Sequence, residues 1–537
     1  MSTNRFTLLL ATFFLLVVNL PMNIKLVELI RADQGLDLGF ILSLPAFFIA
    51  VFFIVFWFFT FPKLTKPISI MMVVVSTLVS YSMYSYGIVF DYSMIQNVFE
   101  TNYGEASAYL NPSVIGWVAA MGVIPSFVIM RARIEYKPWR KELLHKSVGM
   151  VGAVGVILLI AALYFKDYSA FGRNNSYLSK MIVPTEYLAS TAKYINRNIL
   201  TEPPVYKQLG TDAQVAARAS KKPQLMVLVL GETARSMNYQ LNGYPRETNP
   251  FTSDLKIESG LVSFQSVMPC GTATAVSVPC MFSRMSHDSY DGRVVKYQDS
   301  LIDIFQHAGF NTLWLDNDGG CKGICERVDT WNYTAKTDSP YCINEFCYDQ
   351  ILVDEFDTAV ERVKDGNAVI GLHLNGSHGP TYFERYPQAF RHFLPDCQRS
   401  DIQNCSNEEI VNTYDNTIRY TDYVLSEVIK KTQALSAVWD VTVVYVSDHG
   451  ESLGENGIYL HGMPYALAPV EQTQVPMIFW VSDDLANSQS LDKACLKQRA
   501  DEGRYSHDNL FDTLLGLMSV TTSVYRSELD ILAGCRG

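Results

Sequence analysis

Leu225-Met-Val-Leu-Val-Leu230-Gly-Glu-Thr-Ala-Arg235 and Val441-Thr-Val-Val-Tyr-Val446-Ser-Asp-His-Gly-Glu451 are short apolar runs, each followed two residues later by a carboxylate. Bounded runs of this length and β-branched content read as buried strands. Three more occur at 312–315, 368–374 and 475–480, with helix candidates at 299–308, 350–364 and 407–433 between them. Strands alternating with helices indicate an α/β sandwich with a largely parallel sheet from residue 223 onward. In open α/β folds, sites gather just beyond the carboxyl ends of strands, which is where Glu232, Asp448 and His449 fall. These are suitable ligands for zinc or manganese. Taken singly, each has an ordinary structural reading, as a helix cap or a strand-end turn.

A third stretch changes that balance. Cys270-Gly-Thr-Ala-Thr-Ala-Val-Ser-Val-Pro-Cys280 puts two threonines in a short loop between cysteines, with a helix expected from Met281 onward. A hydroxyl at the mouth of a helix becomes a nucleophile when positive charge lowers its pKa, and a metal ion supplies far more than a helix end.

All ten cysteines lie between Cys270 and Cys535, as the pairs 270/280, 321/325, 342/347 and 397/405 and the outliers 495/535. An even count confined to one half of the chain suggests five disulfides and an oxidising compartment. Nearest-neighbour pairing is the simplest connectivity; spacing does not settle it, and a metal-binding reading of Cys321 and Cys325 is the competitor.

The first half is of another kind. Five apolar stretches, at about 7–30, 37–60, 69–90, 113–130 and 148–165, are long enough to cross a bilayer. Lysine and arginine crowd alternate connections: Arg5 before the first, Lys63 and Lys66 after the second, and Arg131, Arg133, Lys137, Arg140, Lys141 and Lys146 after the fourth. The positive-inside rule puts the N-terminus in the cytoplasm, and five crossings put the cysteine-bearing half outside. The expected organisation is a transmembrane domain at 1–166, a connector at 167–222 with a surface-lying helix near 184–200, and a catalytic domain at 223–537. A net charge of −11 at pH 7 gives no basic footprint for nucleic acid. In the outer loop at 91–112, Asn97, Thr101 and Glu105 recur every fourth residue, so a helix would align them as a solvated face or as a lining for a lipid headgroup.

Gly-Glu-Thr-Ala-Arg at 231–235, Cys-Gly-Thr-Ala-Thr-Ala-Val-Ser-Val-Pro-Cys-Met-Phe-Ser at 270–283 and Ser-Asp-His-Gly-Glu-Ser-Leu-Gly-Glu-Asn-Gly at 447–457 resemble the lipid A phosphoethanolamine transferases. That family includes the mobile colistin-resistance enzymes. The resemblance covers the whole chain and implies a five-helix transmembrane domain joined to an α/β sandwich of alkaline phosphatase or sulfatase type. It implies Thr274 as nucleophile and Glu232, Asp448, His449 and Thr274 as zinc ligands, with one zinc ion tightly bound and room for a second. His378 and His461 match a pair that contacts substrate or a second metal. Lys322 resembles a phosphate-binding lysine, and Asn97, Thr101 and Glu105 match headgroup-binding residues. His373, inside a strand, is expected beside the site. Ala273 stands where close relatives often carry serine.

The implied activity moves phosphoethanolamine from phosphatidylethanolamine to a phosphate of lipid A through a covalent Thr274 intermediate. Such an enzyme is a monomer in the bacterial inner membrane with its catalytic domain in the periplasm, and it confers polymyxin and colistin resistance. The rivals are transfer to the lipopolysaccharide core and a membrane-bound phosphodiesterase or sulfatase-type hydrolase. A phosphoglycerol transferase of the lipoteichoic acid type is disfavoured by the cysteine pairs and the Gly-Glu-Thr-Ala-Arg motif.

Overall fold

The computed structural model describes every residue except 33–34, 102, 334–337, 344–345 and 537; the side chains of 104–105, 256–259 and 346 also lie outside the described set. The chain divides into two compact units, one of Met1–Ile95 and Leu110–Ile195, the other of Gln96–Tyr109 and Asn196–Gly537. The outer-loop segment thus clusters with the second unit, and residues 167–195 of the expected connector cluster with the first.

In the first unit, Leu38–Trp57, Thr65–Tyr86, Pro112–Arg131 and Trp139–Asn174 are long and apolar enough to cross a membrane. Their ends follow local chemistry. The Asp37 carboxylate accepts from the Gly39 and Phe40 amides, Asn111 caps the helix that Pro112 opens, and Gly87 takes the left-handed conformation (φ 74°) that ends Thr65–Tyr86. The stretch expected as one span at 7–30 is instead two helical pieces, Thr3–Val18 and Leu20–Ala32, bent by 67°. Asn19 is the cause. Its side chain donates to the Val183 carbonyl at 2.6 Å and accepts from the Val183 amide at 2.9 Å, so the turn is held by a partner outside the helix. Counting that pair as one span gives five crossings. Large apolar side chains such as Leu38, Val151 and Leu158 face outward, at 69 %, 71 % and 64 % exposure, a surface suited to lipid.

The second unit is built on an eight-stranded sheet. Its strands are β1 (Gln224–Gly231), β2 (Val262–Met268), β3 (Asn311–Asp316), β4 (Asp329–Asn332), β5 (Ala368–His373), β6 (Asp440–Ser447), β7 (Val475–Val481) and β8 (Tyr505–Ser506), in the order β8-β2-β7-β6-β1-β5-β3-β4. Strand β7 runs antiparallel to both neighbours, and the other five pairings are parallel. Strands β1, β5, β6 and β7 are buried along their whole length, as continuous apolar runs covered on both faces must be. Strand β2 escaped the sequence reading because Ser263, Gln265 and Ser266 interrupt its apolar residues. The helix candidate at 407–433 is Asn407–Ala434, opened by a capping box between Ser406 and Glu409. The candidate at 350–364 is broken into Gln350–Asp354 and Phe356–Arg362. Five disulfides join Cys270–Cys280, Cys321–Cys325, Cys342–Cys347, Cys397–Cys405 and Cys495–Cys535, the nearest-neighbour set.

Candidate active site

Gly231 of β1 lies opposite Ser447 of β6, so the two parallel strands end level and release Glu232 and Asp448-His449 side by side. A helix carries the third component. It starts at Thr274 itself and runs to Met281, rather than starting at Met281 as the sequence suggested, because Ala273 already supplies the extended N-cap conformation. The Ser277 hydroxyl donates to the Asp448 carbonyl at 2.5 Å, and Thr272 donates to the Met463 carbonyl at 2.5 Å. Held this way, Thr274 Oγ1 lies 3.2 and 3.4 Å from the two Glu232 carboxylate oxygens and 3.3 Å from His449 Nε2. His449 Nε2 is 3.3 Å from Asp448 Oδ2 and 3.5 Å from Glu232 Oε1.

The hydrogen bonds behind these atoms set their roles. His449 Nδ1 donates to the Gly450 carbonyl at 2.9 Å, which leaves the Nε2 lone pair facing the other three groups. Asp448 Oδ1 accepts from the Thr233 and His449 amides, while Oδ2 has no hydrogen-bond partner although it is fully buried. Burial and the neighbouring Glu232 carboxylate push Asp448 up to about 7. Burial works against Glu232 as an anion, yet His449, then His378 and the Thr233 hydroxyl, hold it at about 2. Two buried acids and an unpartnered carboxylate oxygen are a costly arrangement that a cation resolves. One ligand atom from each of Glu232, Asp448 and His449 falls within a cluster 4.8 Å across. Two carboxylates, an imidazole lone pair and a hydroxyl oxygen fit zinc.

Local backbone is shaped for this. Thr233 sits at φ 60°, unfavourable for a branched residue, and is held there by Tyr414, whose hydroxyl donates to the Thr233 carbonyl and accepts from the Arg235 amide. Gly376, at φ 54°, passes so near Glu232 that a Cβ would stand 2.7 Å from its carbonyl oxygen.

Comparison with known proteins gives the family. Residues 48–199 match the family model described as phosphoethanolamine transferase EptA/EptB, and residues 224–520 match that described as sulfatase. Phosphoethanolamine transferase EptA of Escherichia coli K12 is 40 % identical over 98 % of this chain and 96 % of its own. This chain belongs to the phosphoethanolamine transferase family. Phosphatidylethanolamine transferase Mcr-1 of E. coli is 34 % identical over 90 % of this chain and 89 % of its own. The solved structure of the integral membrane lipooligosaccharide phosphoethanolamine transferase A from Neisseria meningitidis superposes with a TM-score of 0.94 at 38 % identity, covering 99 % of this chain and 98 % of that one.

In this phosphoethanolamine transferase the other residues singled out from the sequence have the following surroundings. The His461 ring centroid is 4.5 Å from that of His449 and 5.5 Å from that of His378. Glu451, which also accepts from the Tyr382 hydroxyl, holds His461 Nδ1 at 2.9 Å. His373 is fully buried and donates from Nδ1 to Asp316 at 3.0 Å. Lys322, at φ 51°, lies in the turn closed by Cys321–Cys325.

The expected single helix face of Asn97, Thr101 and Glu105 does not form. The helix Tyr92–Glu100 ends first and a separate one covers Tyr103–Ala108. The Thr101 hydroxyl turns back to the Asn97 carbonyl at 2.7 Å, and the Glu105 side chain lies outside the described residues.

Two residues that the sequence reading passed over support the segment that carries Thr274. Pro279 has no amide hydrogen, so the Ala275 carbonyl four residues earlier lacks its helical donor. Gln96 supplies one, donating from Nε2 to Ala275 O at 3.2 Å, and Glu100 beside it pairs with Lys296 at 2.6 Å. The orphaned carbonyl was legible from Pro279, but nothing in the sequence marked Gln96 as its partner. His507, after β8, accepts from the Cys270 amide at Nδ1 (3.1 Å) and donates from Nε2 to the Ser447 carbonyl (3.1 Å). Burial, helped by the nearby His449 and opposed only by that backbone contact, leaves it at about 3, a neutral link between the Thr274 loop and the end of β6. A two-residue strand left no periodicity to single it out.

Proposed function

We propose that the chain transfers phosphoethanolamine from phosphatidylethanolamine to a phosphate of lipid A in two steps through Thr274. The observation that carries the reading is the convergence on Thr274 Oγ1 of Glu232 and His449, each within 3.5 Å, beside an Asp448 oxygen left without a partner. Glu232, Asp448, His449 and Thr274 would hold zinc, which supplies charge that favours the threonine alkoxide and offsets the phosphodiester's negative charge.

In the first step Thr274 Oγ attacks the phosphorus of the donor lipid. The bond from phosphorus to the glycerol oxygen breaks, diacylglycerol leaves with a proton, and phosphoethanolamine stays on the threonine. In the second step a lipid A phosphate oxygen attacks that phosphorus, the Thr274 Oγ–phosphorus bond breaks, and Thr274 takes up the proton given up by the attacking phosphate or by water, which restores its hydroxyl. His378 and His461 contact phosphoryl oxygens in both steps, with Lys322 as a further point charge. Asn97, Thr101 and Glu105 bind the lipid headgroup. The enzyme is an inner-membrane protein with a periplasmic catalytic domain and acts as a monomer. By lowering the anionic charge of lipid A it confers resistance to polymyxin and colistin.

Mass spectrometry of lipopolysaccharide from cells expressing the chain tests this. A phosphoethanolamine gain on lipid A, absent with Thr274→Ala, is expected. A gain on the core oligosaccharide instead favours the core acceptor, and free phosphoethanolamine with no acceptor gain makes the protein a hydrolase. Intact-protein mass spectrometry should find the phosphoethanolamine adduct on wild type and none on Thr274→Ala.

A further inference from the structure

Two grooves flank the first helical piece, Thr3–Val18, and they differ in charge. The one on its Phe6, Leu10 and Phe13 side, of about 330 Å³, is lined by no charged side chain. The other, of about 530 Å³, lies between that piece and the helices Leu38–Trp57 and Trp139–Asn174, and Asn4 and Arg5 line one end of it. Ligand pockets are of this size, roughly 300–1,000 Å³.

Small residues open the second groove. Ala46 and Ala50 on one helix and Gly149 and Ala153 on the next leave room where larger side chains would close the contact. Gly149 also lets the helices meet at the polar end, because a Cβ there would stand 2.6 Å from Asn4 Nδ2 and 2.9 Å from the Phe53 ring. Asn4 spans that meeting and donates from Nδ2 to the His145 carbonyl at 2.6 Å. From Phe53 to Ala46, and from Gly149 to Val156, the walls run roughly 10 Å along each helix. Leu8 and Val156 are 47 % and 39 % exposed, so the groove is open towards the surrounding lipid.

Its polar end is cationic. Among the described residues, the ion pairs of the first unit are Lys25–Glu28 and Lys180–Asp91, both at the other end of the bundle. The acids at the Arg5 end are Glu135 and Glu142, and Glu142 already accepts from the Thr3 hydroxyl and, at 2.8 Å, from the Lys137 amide. Arg5 is therefore left without a carboxylate partner among the described residues, near a connection rich in arginine and lysine. An unpaired guanidinium above an apolar slot suits a ligand with an anionic head and a hydrocarbon tail, and basic pockets between membrane helices take such lipids. A zwitterionic headgroup would set its ammonium among these cations, whereas an anionic one brings only the phosphate charge, which arginine grips with two parallel bonds.

We propose that this groove binds one anionic glycerophospholipid of the phosphatidylglycerol class, its phosphate on Arg5 and one acyl chain between Leu8, Ala46 and Ala153. The orientation proposed above puts that lipid in the cytoplasmic leaflet, so it is distinct from the donor substrate.

Native mass spectrometry of the full-length protein in detergent, titrated separately with phosphatidylglycerol and phosphatidylethanolamine, tests this. Wild type should hold one phosphatidylglycerol. Arg5→Gln should weaken that binding about tenfold, as expected for one lost hydrogen-bonded contact to a charged group, and leave phosphatidylethanolamine binding unchanged. Ala46→Phe, which fills the groove from its open side, should weaken phosphatidylglycerol binding too. Lys63→Gln, which removes a cation at the same end but outside the groove, should not. An equal loss in Lys63→Gln and Arg5→Gln overturns the site in favour of diffuse attraction to a basic surface. Phosphatidylethanolamine binding that falls by the same factor in Arg5→Gln overturns the anionic assignment. Should Ala46→Phe fail to fold, Arg5→Gln decides by itself: unchanged phosphatidylglycerol binding ends the proposal. None of these outcomes touches the transfer reaction, which keeps its own test.

Discussion

The two sides of the Cys270–Cys280 loop are both buried and both polar, yet one is acidic and the other neutral. On one side Thr274 meets Glu232, Asp448 and His449, where two acids crowd together and one carboxylate oxygen is unmatched. On the other side His507 accepts from the Cys270 amide and donates to the Ser447 carbonyl, and Ser277 donates to the Asp448 carbonyl, so each donor meets an acceptor. His449 and His507 are both fully enclosed, and their surroundings drive them apart. Burial disfavours the charged form of each, but Asp448 and Glu232 overcome it at His449 and raise its pKa, while at His507 burial and the nearby His449 prevail over the Ser447 contact and it falls to about 3. The unsatisfied side is the one proposed to do the chemistry, and the satisfied side holds it still.

The comparison is broken most sharply from the acidic side. Asp448→Asn removes a proposed ligand, and activity should fall by more than the ~10–100-fold typical of changing an outer partner of a metal ligand. The assay is phosphoethanolamine release from a soluble phosphodiester analogue, with the melting temperature checked alongside. An active Asp448→Asn enzyme would make the crowded acids incidental. From the neutral side, His507→Ala strands a buried amide and a buried carbonyl. At about 1–3 kcal/mol for each group left unpaired, the melting midpoint should drop clearly while zinc content per folded chain is retained. Loss of zinc with no loss of stability would move His507 to the other side of the comparison.

Acidity offers a third handle. In the metal-free protein Asp448 is pushed up to about 7 against an ordinary value of 3.8. The folded state therefore takes up a proton that the unfolded state does not between those values. That contribution is complete below about 4 and is lost as pH rises through 7. Zinc competes with this proton, so the melting-temperature gain on adding zinc should grow from pH 5.5 to pH 8. A gain independent of pH would show that Asp448 does not hold the ion. The smallest effect is expected at Gln96→Leu, which leaves the Ala275 carbonyl without a donor. One lost hydrogen bond is worth about 1 kcal/mol, so turnover should fall by roughly fivefold with the zinc content unchanged.

Much of this is legible in the sequence. The apolar runs that became β1, β5, β6 and β7 could be read because strands covered on both faces must be continuously hydrophobic, and the acids directly after β1 and β6 then fell at strand ends. Cysteine pairing by proximity was the simplest of the readings that spacing left open, and the structure decided for it, including Cys495–Cys535 at a separation of 40 residues. The bend at Asn19 was not legible, since its cause is a contact with Val183, over 160 residues away in sequence. The aligned face of Asn97, Thr101 and Glu105 failed because a four-residue period presumes one helix, and the segment makes two.

By itself the sequence determined the sheet-forming segments, the apolar helices and the residue types at the site, because local periodicity and side-chain chemistry are properties of neighbours along the chain. Only the tertiary structure decided that one Asp448 oxygen lies buried without a hydrogen-bond partner, that Gln96 supplies a donor for a carbonyl that Pro279 orphans, and that His507 is neutral. Each of those depends on strand order and on what burial brings within hydrogen-bond reach, and neither is encoded in spacing.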